Sequence, residues 1–172
     1  MMMKRFLFII TVVLLTGCSA KYSTNNVQKS TELLVKNLPV AVAKPADGVY
    51  ETRSYAGSGD TTAAVVKAAI LRHSDNVSVY SDCEDLMCLK DKHMMNRGYY
   101  VVPQILHWED RATQWSGIPD RIEIKISVYN AESNAIVAST IITGKSKWAT
   151  FGGDHPQDLL PVPINAWIAS LY

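Results

Sequence analysis

Three short stretches hold most of the residues able to do chemistry: Gly57-Ser58-Gly59-Asp60, Glu109 to Asp120, and Thr150 to Pro156 with Trp148 just ahead of it. The last two bring Trp115, Trp148 and Phe151 together with Glu109, Asp110, Arg111, Asp120, Asp154 and His155. Aromatics and arginine set among charges are what recognition surfaces favour. The candidate binding residues are therefore Arg111, Trp115, Asp120, Trp148, Phe151, Asp154 and His155. A second reading stays open beside this one. Trp115 and Trp148 would then close the end of a thin core, and Arg111 would pair with Asp110 or Asp120 to hold a hairpin.

Catalytic signals are sparse. Ser58 lacks nucleophile-elbow spacing. His73, His93, His107 and His155 show no metal spacing with a second histidine or cysteine, so neither a metal nor a cofactor is expected. Glu109, Asp110, Asp120 and Asp154 leave acid–base hydrolysis as a remote alternative; otherwise the chain reads as non-enzymatic. Gly57-Ser58-Gly59 ahead of a helix could offer backbone donors to an anion. It has neither the lysine and spacing of a P-loop nor the length of a dinucleotide fingerprint, and a tight turn into a helix capped by Asp60 is preferred.

The N-terminus carries an address. Lys4 and Arg5 precede an apolar run from Phe6 to Leu15 that is too short to span a bilayer. Leu15-Thr16-Gly17-Cys18 resembles the lipobox of bacterial lipoproteins, in which the cysteine is acylated and becomes the first mature residue. The competing reading is a plain signal peptide with a cysteine at its end. Ser19 follows, and in the lipoproteins resembled an aspartate there retains the chain at the inner membrane. Serine implies the outer membrane, facing the periplasm. Residues 1–17 are then the signal peptide, 18–31 the lipidated Cys18 and a flexible tether, and 32–172 a single periplasmic domain.

Cleavage before Cys18 leaves 155 of the 172 residues, with 15 basic against 16 acidic side chains and a net charge of −1. Such a balance argues against a nucleic-acid partner. Cys83 and Cys88 remain as an even pair in an oxidising compartment, read as a disulfide or as two buried thiols. Residues five apart inside one helix are too distant to bridge, so a bond requires Cys83 to sit just ahead of a helix.

These residues need a frame. Ser19 to Thr31 has no apolar period and reads as a tether reaching about 45 Å when extended. Leu38 to Ala43 reads as a first strand. Thr62, Val65, Val66, Ala69, Ile70 and His73 mark one face of a helix. Val77 to Tyr80 is a strand, Glu84 to Asn96 a helix, and Tyr99 to Trp108 a strand whose Pro103 predicts an edge or a bulge. Ile122, Ile124, Ile126 and Val128 alternate with polar residues, so Arg121 to Tyr129 is a strand wet on one face. Ile136 to about Trp148 is another strand, and a last helix starts at Pro163. The order β-α-β-α-β-β-β-α predicts an α+β two-layer sandwich: a mixed sheet with its helices on one face. Parallel early strands would bring the three chemistry-bearing stretches to one sheet edge.

Two blocks carry a resemblance: Trp108-Glu109-Asp110-Arg111-Ala112-Thr113-Gln114-Trp115-Ser116-Gly117-Ile118-Pro119-Asp120, and Ser146 to Leu160 with Thr150-Phe151-Gly152-Gly153-Asp154 at its centre. Together with the Tyr55-to-Thr61 loop they resemble a family of bacterial lipoproteins of unknown function, over roughly Val40 to Tyr172. The resemblance implies a lipid-anchored envelope protein and brings no catalysis or ligand. The element order is similar to that of lipoprotein activators of peptidoglycan synthases and of the N-terminal domain of the Tol–Pal propeller protein. By that analogy the chain is an accessory module for an envelope protein, alternatively one for glycan or a small ligand.

Overall fold

The computed structural model describes residues 20–29, 31–111, 117–147 and 155–172. Its centre is the alternating segment. Ile122, Ile124, Ile126 and Val128 are all buried on one face of a strand, Arg121–Asn130. Each such side chain contributes roughly 1.5–3 kcal/mol on leaving water. In chain order the strands are β1 (Lys21–Gln28), β2 (Val40–Ala43), β3 (Val49–Tyr50), β4 (Arg53–Ser54), β5 (Val77–Tyr80), β6 (Tyr99–Glu109), β7 (Arg121–Asn130) and β8 (Ile136–Lys145). The helices are α1 (Ser58–Ile70), α2 (Leu86–Lys92) and α3 (Pro161–Ala169), the last preceded by a 3-10 turn, Pro156–Leu159.

The main sheet has the order β1-β8-β7-β6-β2-β5. β2 is parallel to β5 and β6, and the remaining pairs are antiparallel, so the sheet is mixed and the class is α+β as expected. α1 and α3 cover the face that carries Val40, Val42, Val101, Ile124 and Ile142, with Val66, Ile70, Ile164 and Ile168 packed into it. Not all helices share that face. Leu89 of α2 packs on the opposite one, against Ala41, Ala43, Tyr100 and Val102. The reason is parity: neighbouring residues of β2 and β6 are buried on both faces, so each face needs a cover.

Several expectations change. Most of the stretch expected as a tether is a strand: Lys21–Gln28 pairs antiparallel with β8, from Lys21 opposite Lys145 to Gln28 opposite Ser139. Its residues are all exposed, so no apolar period announced it; its ladder and the bonds Thr140 Oγ1 to Asn25 O (3.1 Å) and Trp167 Nε1 to Asn26 Oδ1 (3.1 Å) hold it. Asp60 does not cap α1. The cap residue is Gly57, at φ 84°, and the carboxylate that serves the helix start is Asp47, which accepts from Gly57 N (3.2 Å) and Gly59 N (2.8 Å). A Cβ on Gly59 would lie 2.2 Å from Pro45 O, so only glycine lets the strand-exit loop close on the helix.

The second helix is shorter than Glu84 to Asn96, spanning Leu86–Lys92 behind an Asp85 side chain that accepts from Cys88 N. Cys83 lies just ahead of it and is bonded to Cys88, with Cα atoms 5.3 Å apart. The last helix begins at Pro161 rather than Pro163, again with proline in the first turn. Pro103 lies within β6, beyond the last residue paired with β2, so its missing donor falls where the strand is locally an edge; the irregularity lies further on, between Ile105 and His107. The β3–β4 hairpin was not foreseen.

Candidate functional site

β6 outruns its parallel partners. β2 stops opposite Val101, whereas β6 continues to Glu109, and the chain leaving β2 runs on beside it as far as Gly48 at Trp108. Gly48 lies so close to Trp108 that a Cβ there would be 2.5 Å from the tryptophan's Cβ. Trp108 is buried and closes this end of the core. The path also carries the β3–β4 hairpin to the end of β6, beside the start of β7.

The alternation continues past the strand: His107, Glu109 and Arg111 are two apart. Glu109 is the hub, its side chain 7% exposed, accepting from Arg111 Nε and bonded to His107 Nε2 at 3.0 Å. Burial raises its carboxyl, but the bonds to His107 and Arg111 and the guanidinium charge outweigh burial and hold it below the usual value. The same bond from Glu109 raises Arg111. Arg111 Nη2 also donates to Tyr50 OH (3.0 Å), and its guanidinium lies 5.5 Å from the Tyr50 ring centre. Tyr50 in turn meets His107 edge-on at 5.1 Å.

The other two stretches reach the same end. Asp110 N donates to Tyr55 OH (3.4 Å), and Asp110 Oδ1 lies 3.7 Å from His155 Nδ1. A groove of about 430 Å³ runs between them, lined by Arg53, Tyr55, Ser58, Trp108, Asp110 and Gln157. Asp110 and His155 thus bring the described parts of the second and third stretches together beside Gly57 and Ser58 of the first. Trp115, Trp148, Phe151 and Asp154 lie outside the described residues, as does Cys18.

Asp120 is not a surface group. It is fully buried, accepts from Arg111 N (2.5 Å), and is tied to Ser146 twice: Ser146 Oγ takes its N–H (2.9 Å) and Ser146 N donates to its carbonyl (3.0 Å). It joins the two ends of the 111–120 segment to the end of β8. Arg111 pairs with Glu109, a partner not foreseen for it, and Asp120 accepts its backbone N–H. Tyr50 and Arg53 are members that sequence reasoning passed over, and Glu109 was named there among the charged residues but not as a candidate for binding. The i, i+2, i+4 spacing of His107, Glu109 and Arg111 was the available signal, since it sets three polar side chains on one strand face.

Ser58 is buried, accepting from Gly48 N (2.8 Å) and facing Asp47 Oδ1 (3.4 Å). The donors of Gly57 and Gly59 are already occupied by Asp47, whose carboxyl is lowered chiefly by the Gly59 N–H bond. The turn thus carries an anion of its own. Past the C-terminal end of β5, Asp82, Cys83 and His93 place ligand atoms within 4.8 Å of one another. The Cys83 sulfur is engaged in the disulfide and offers no thiolate. Among the described residues no helix is long and apolar enough to cross a membrane.

No curated protein matches the sequence. Among solved structures the fold is similar to that of PelC from Paraburkholderia phytofirmans, a dodecamer, with a TM-score of 0.59 and 14% identity, covering 89% of this chain and 95% of that chain. A single-substitution variant of the same PelC, also a dodecamer, gives 0.56 and 13% over the same shares. Protein XCC0632 from Xanthomonas campestris, of family-model DUF330, gives 0.48 and 15%, covering 84% and 90%. Identities this low show the PelC likeness as one of fold alone. The sequence also matches the model of a domain of unknown function, DUF4823, over residues 32–171, and the chain belongs to that family.

Proposed function

We propose that this chain is an outer-membrane lipoprotein of the periplasm, anchored through an acylated Cys18, that serves as a non-enzymatic accessory module for an envelope protein partner. The observation that supports the binding role most directly is the polar–aromatic surface at the end of β6. There Arg111 lies over Tyr50, Arg53 lies 4.9 Å from the Tyr55 ring centre, and the Asp110–His155 pair borders the groove. Arginine and tyrosine in contact with each other and with water are the residues from which hot spots are built. The Cys83–Cys88 bond fits an oxidising compartment.

A photo-crosslinking residue replacing Arg53, on the exposed hairpin, tests the reading in intact cells; the same residue replacing Ser133, in the β7–β8 turn, is the control. A discrete protein adduct from position 53 and none from 133 is expected. Equal labelling from both positions, or none, removes the partner role. Mass spectrometry of the native product tests the anchor separately, through the expected acyl mass on Cys18. The groove beside Tyr55 also admits a glycan reading, which sedimentation with purified cell wall distinguishes.

A further inference from the structure

The face of the sheet opposite α1 and α3 is covered by α2 only at its far end. At the near end the register sets Lys21 of β1 opposite Lys145 of β8, and Lys145 opposite Arg121 of β7. Directly opposed residues in a sheet project to the same side. Three cations therefore stand in one row across three strands, at the mouth of a groove of about 540 Å³ that Ser23, His107, Glu123 and Thr143 continue. Like charges placed directly opposite one another are unfavourable. None of the three has an ion-pair partner among the described residues. Glu109, next in the row, is committed to Arg111 and His107. Glu123, one row in, is matched on the same face by Lys125.

The chain before β1 says what lies nearby. Lys21 is three residues from Cys18, so the start of β1 lies within about 10 Å of the acylated sulfur. A tether of 45 Å would have left the face free to turn anywhere; a strand that begins at residue 21 does not.

We infer that Lys21, Arg121 and Lys145 form a docking surface for anionic phospholipid headgroups, which seats the domain on the membrane by the open end of its sheet. This rests on the lipid anchor proposed above. The partner surface at the end of β6 is then membrane-proximal too, so its partner meets the domain at the bilayer surface. A cation near an anionic membrane improves its partitioning about 5-fold, and three together by on the order of 100-fold. The gain falls with salt because the attraction is screened over about 10 Å.

The test places the lipidated protein in vesicles of phosphatidylglycerol and phosphatidylethanolamine, and separately in phosphatidylcholine vesicles, and follows amine acetylation by mass spectrometry. Acetylation at Lys21 and Lys145 is expected to slow at least 5-fold on the anionic vesicles, with Lys67 on α1 unchanged and 0.5 M salt restoring the rates. Equal rates on both vesicles overturn the inference. The triple variant Lys21→Gln, Arg121→Gln, Lys145→Gln should retain the wild-type melting temperature or exceed it and stay anchored, and Arg121→Gln alone should lessen the slowing at Lys21 and Lys145; an undiminished slowing overturns the inference. Should the wild type carry no acyl group, the anchor fails by itself. Sedimentation of that protein with the same vesicles then reports on the surface alone: a preference for phosphatidylglycerol that the triple variant lacks supports it, and equal binding refutes it.

Discussion

Asp120 offers the sharpest test of which residues at the β6 end bind and which only build. Its side chain is fully buried and receives the Arg111 N–H at 2.5 Å, while its own backbone is bonded both ways to Ser146. Asp120→Ala deletes the side-chain acceptor and leaves the Arg111 N–H without that partner, but spares the backbone bonds to Ser146. A hydrogen bond to a charged acceptor contributes about 1.5–3 kcal/mol, and a small void is added. The expected loss is about 3 kcal/mol. In a domain of this size each kcal/mol lowers Tm by about 2–4 °C, so a fall of about 9 °C follows. Asp120→Asn keeps an acceptor oxygen in place and should cost about 1 kcal/mol. Urea unfolding at pH 7 reads both, as a lower midpoint at unchanged slope. If Asp120→Ala unfolds within 2 °C of the wild type yet loses partner capture, Asp120 is a binding group and the structural assignment is refuted.

Arg111→Ala should leave Glu109 buried with His107 as its remaining partner, so its carboxyl climbs. In the wild type the lowered Glu109 contributes stability above pH 4.5 that is lost on acidification; in the variant that loss should be smaller, which melting curves from pH 7 down through 4.5 will show. Asp47→Ala removes the carboxylate that serves α1 and should cost about 1 kcal/mol at pH 7. Because Asp47 is lowered from 3.8, that difference should shrink below about pH 4, and a pH-independent difference would count against the cap. Reducing the Cys83–Cys88 bond should destabilise by about 2 kcal/mol through loop-closure entropy. Seven-residue α2 is too short to persist unaided, so faster hydrogen exchange should be confined to Leu86–Lys92 and spare β7.

Elements whose signal is local were legible without the fold. The alternation of Ile122, Ile124, Ile126 and Val128 is a property of consecutive residues, and the strand it implies is the centre of the core. The same holds for the apolar face of α1 and for the requirement that Cys83 precede a helix. Legibility failed wherever the deciding partner is remote. β1 has no pattern because an edge strand exposed on both faces needs none; it exists through its register with β8, more than a hundred residues away. The hydroxyl that receives Arg111 belongs to Tyr50, 61 residues back.

What the residue order determined by itself was the class of the fold, the strand-and-helix succession from β2 onward without the β3–β4 hairpin, and the gathering of charged and aromatic groups in three stretches. Short-range periodicity is sufficient for that, because backbone geometry repeats every two or 3.6 residues. Only the tertiary structure decided that Asp120 is buried, that Asp47 rather than Asp60 serves α1, and that Lys21, Lys145 and Arg121 stand in one row. Burial and cross-strand register are set by which distant segments pack together, and no local pattern encodes that choice.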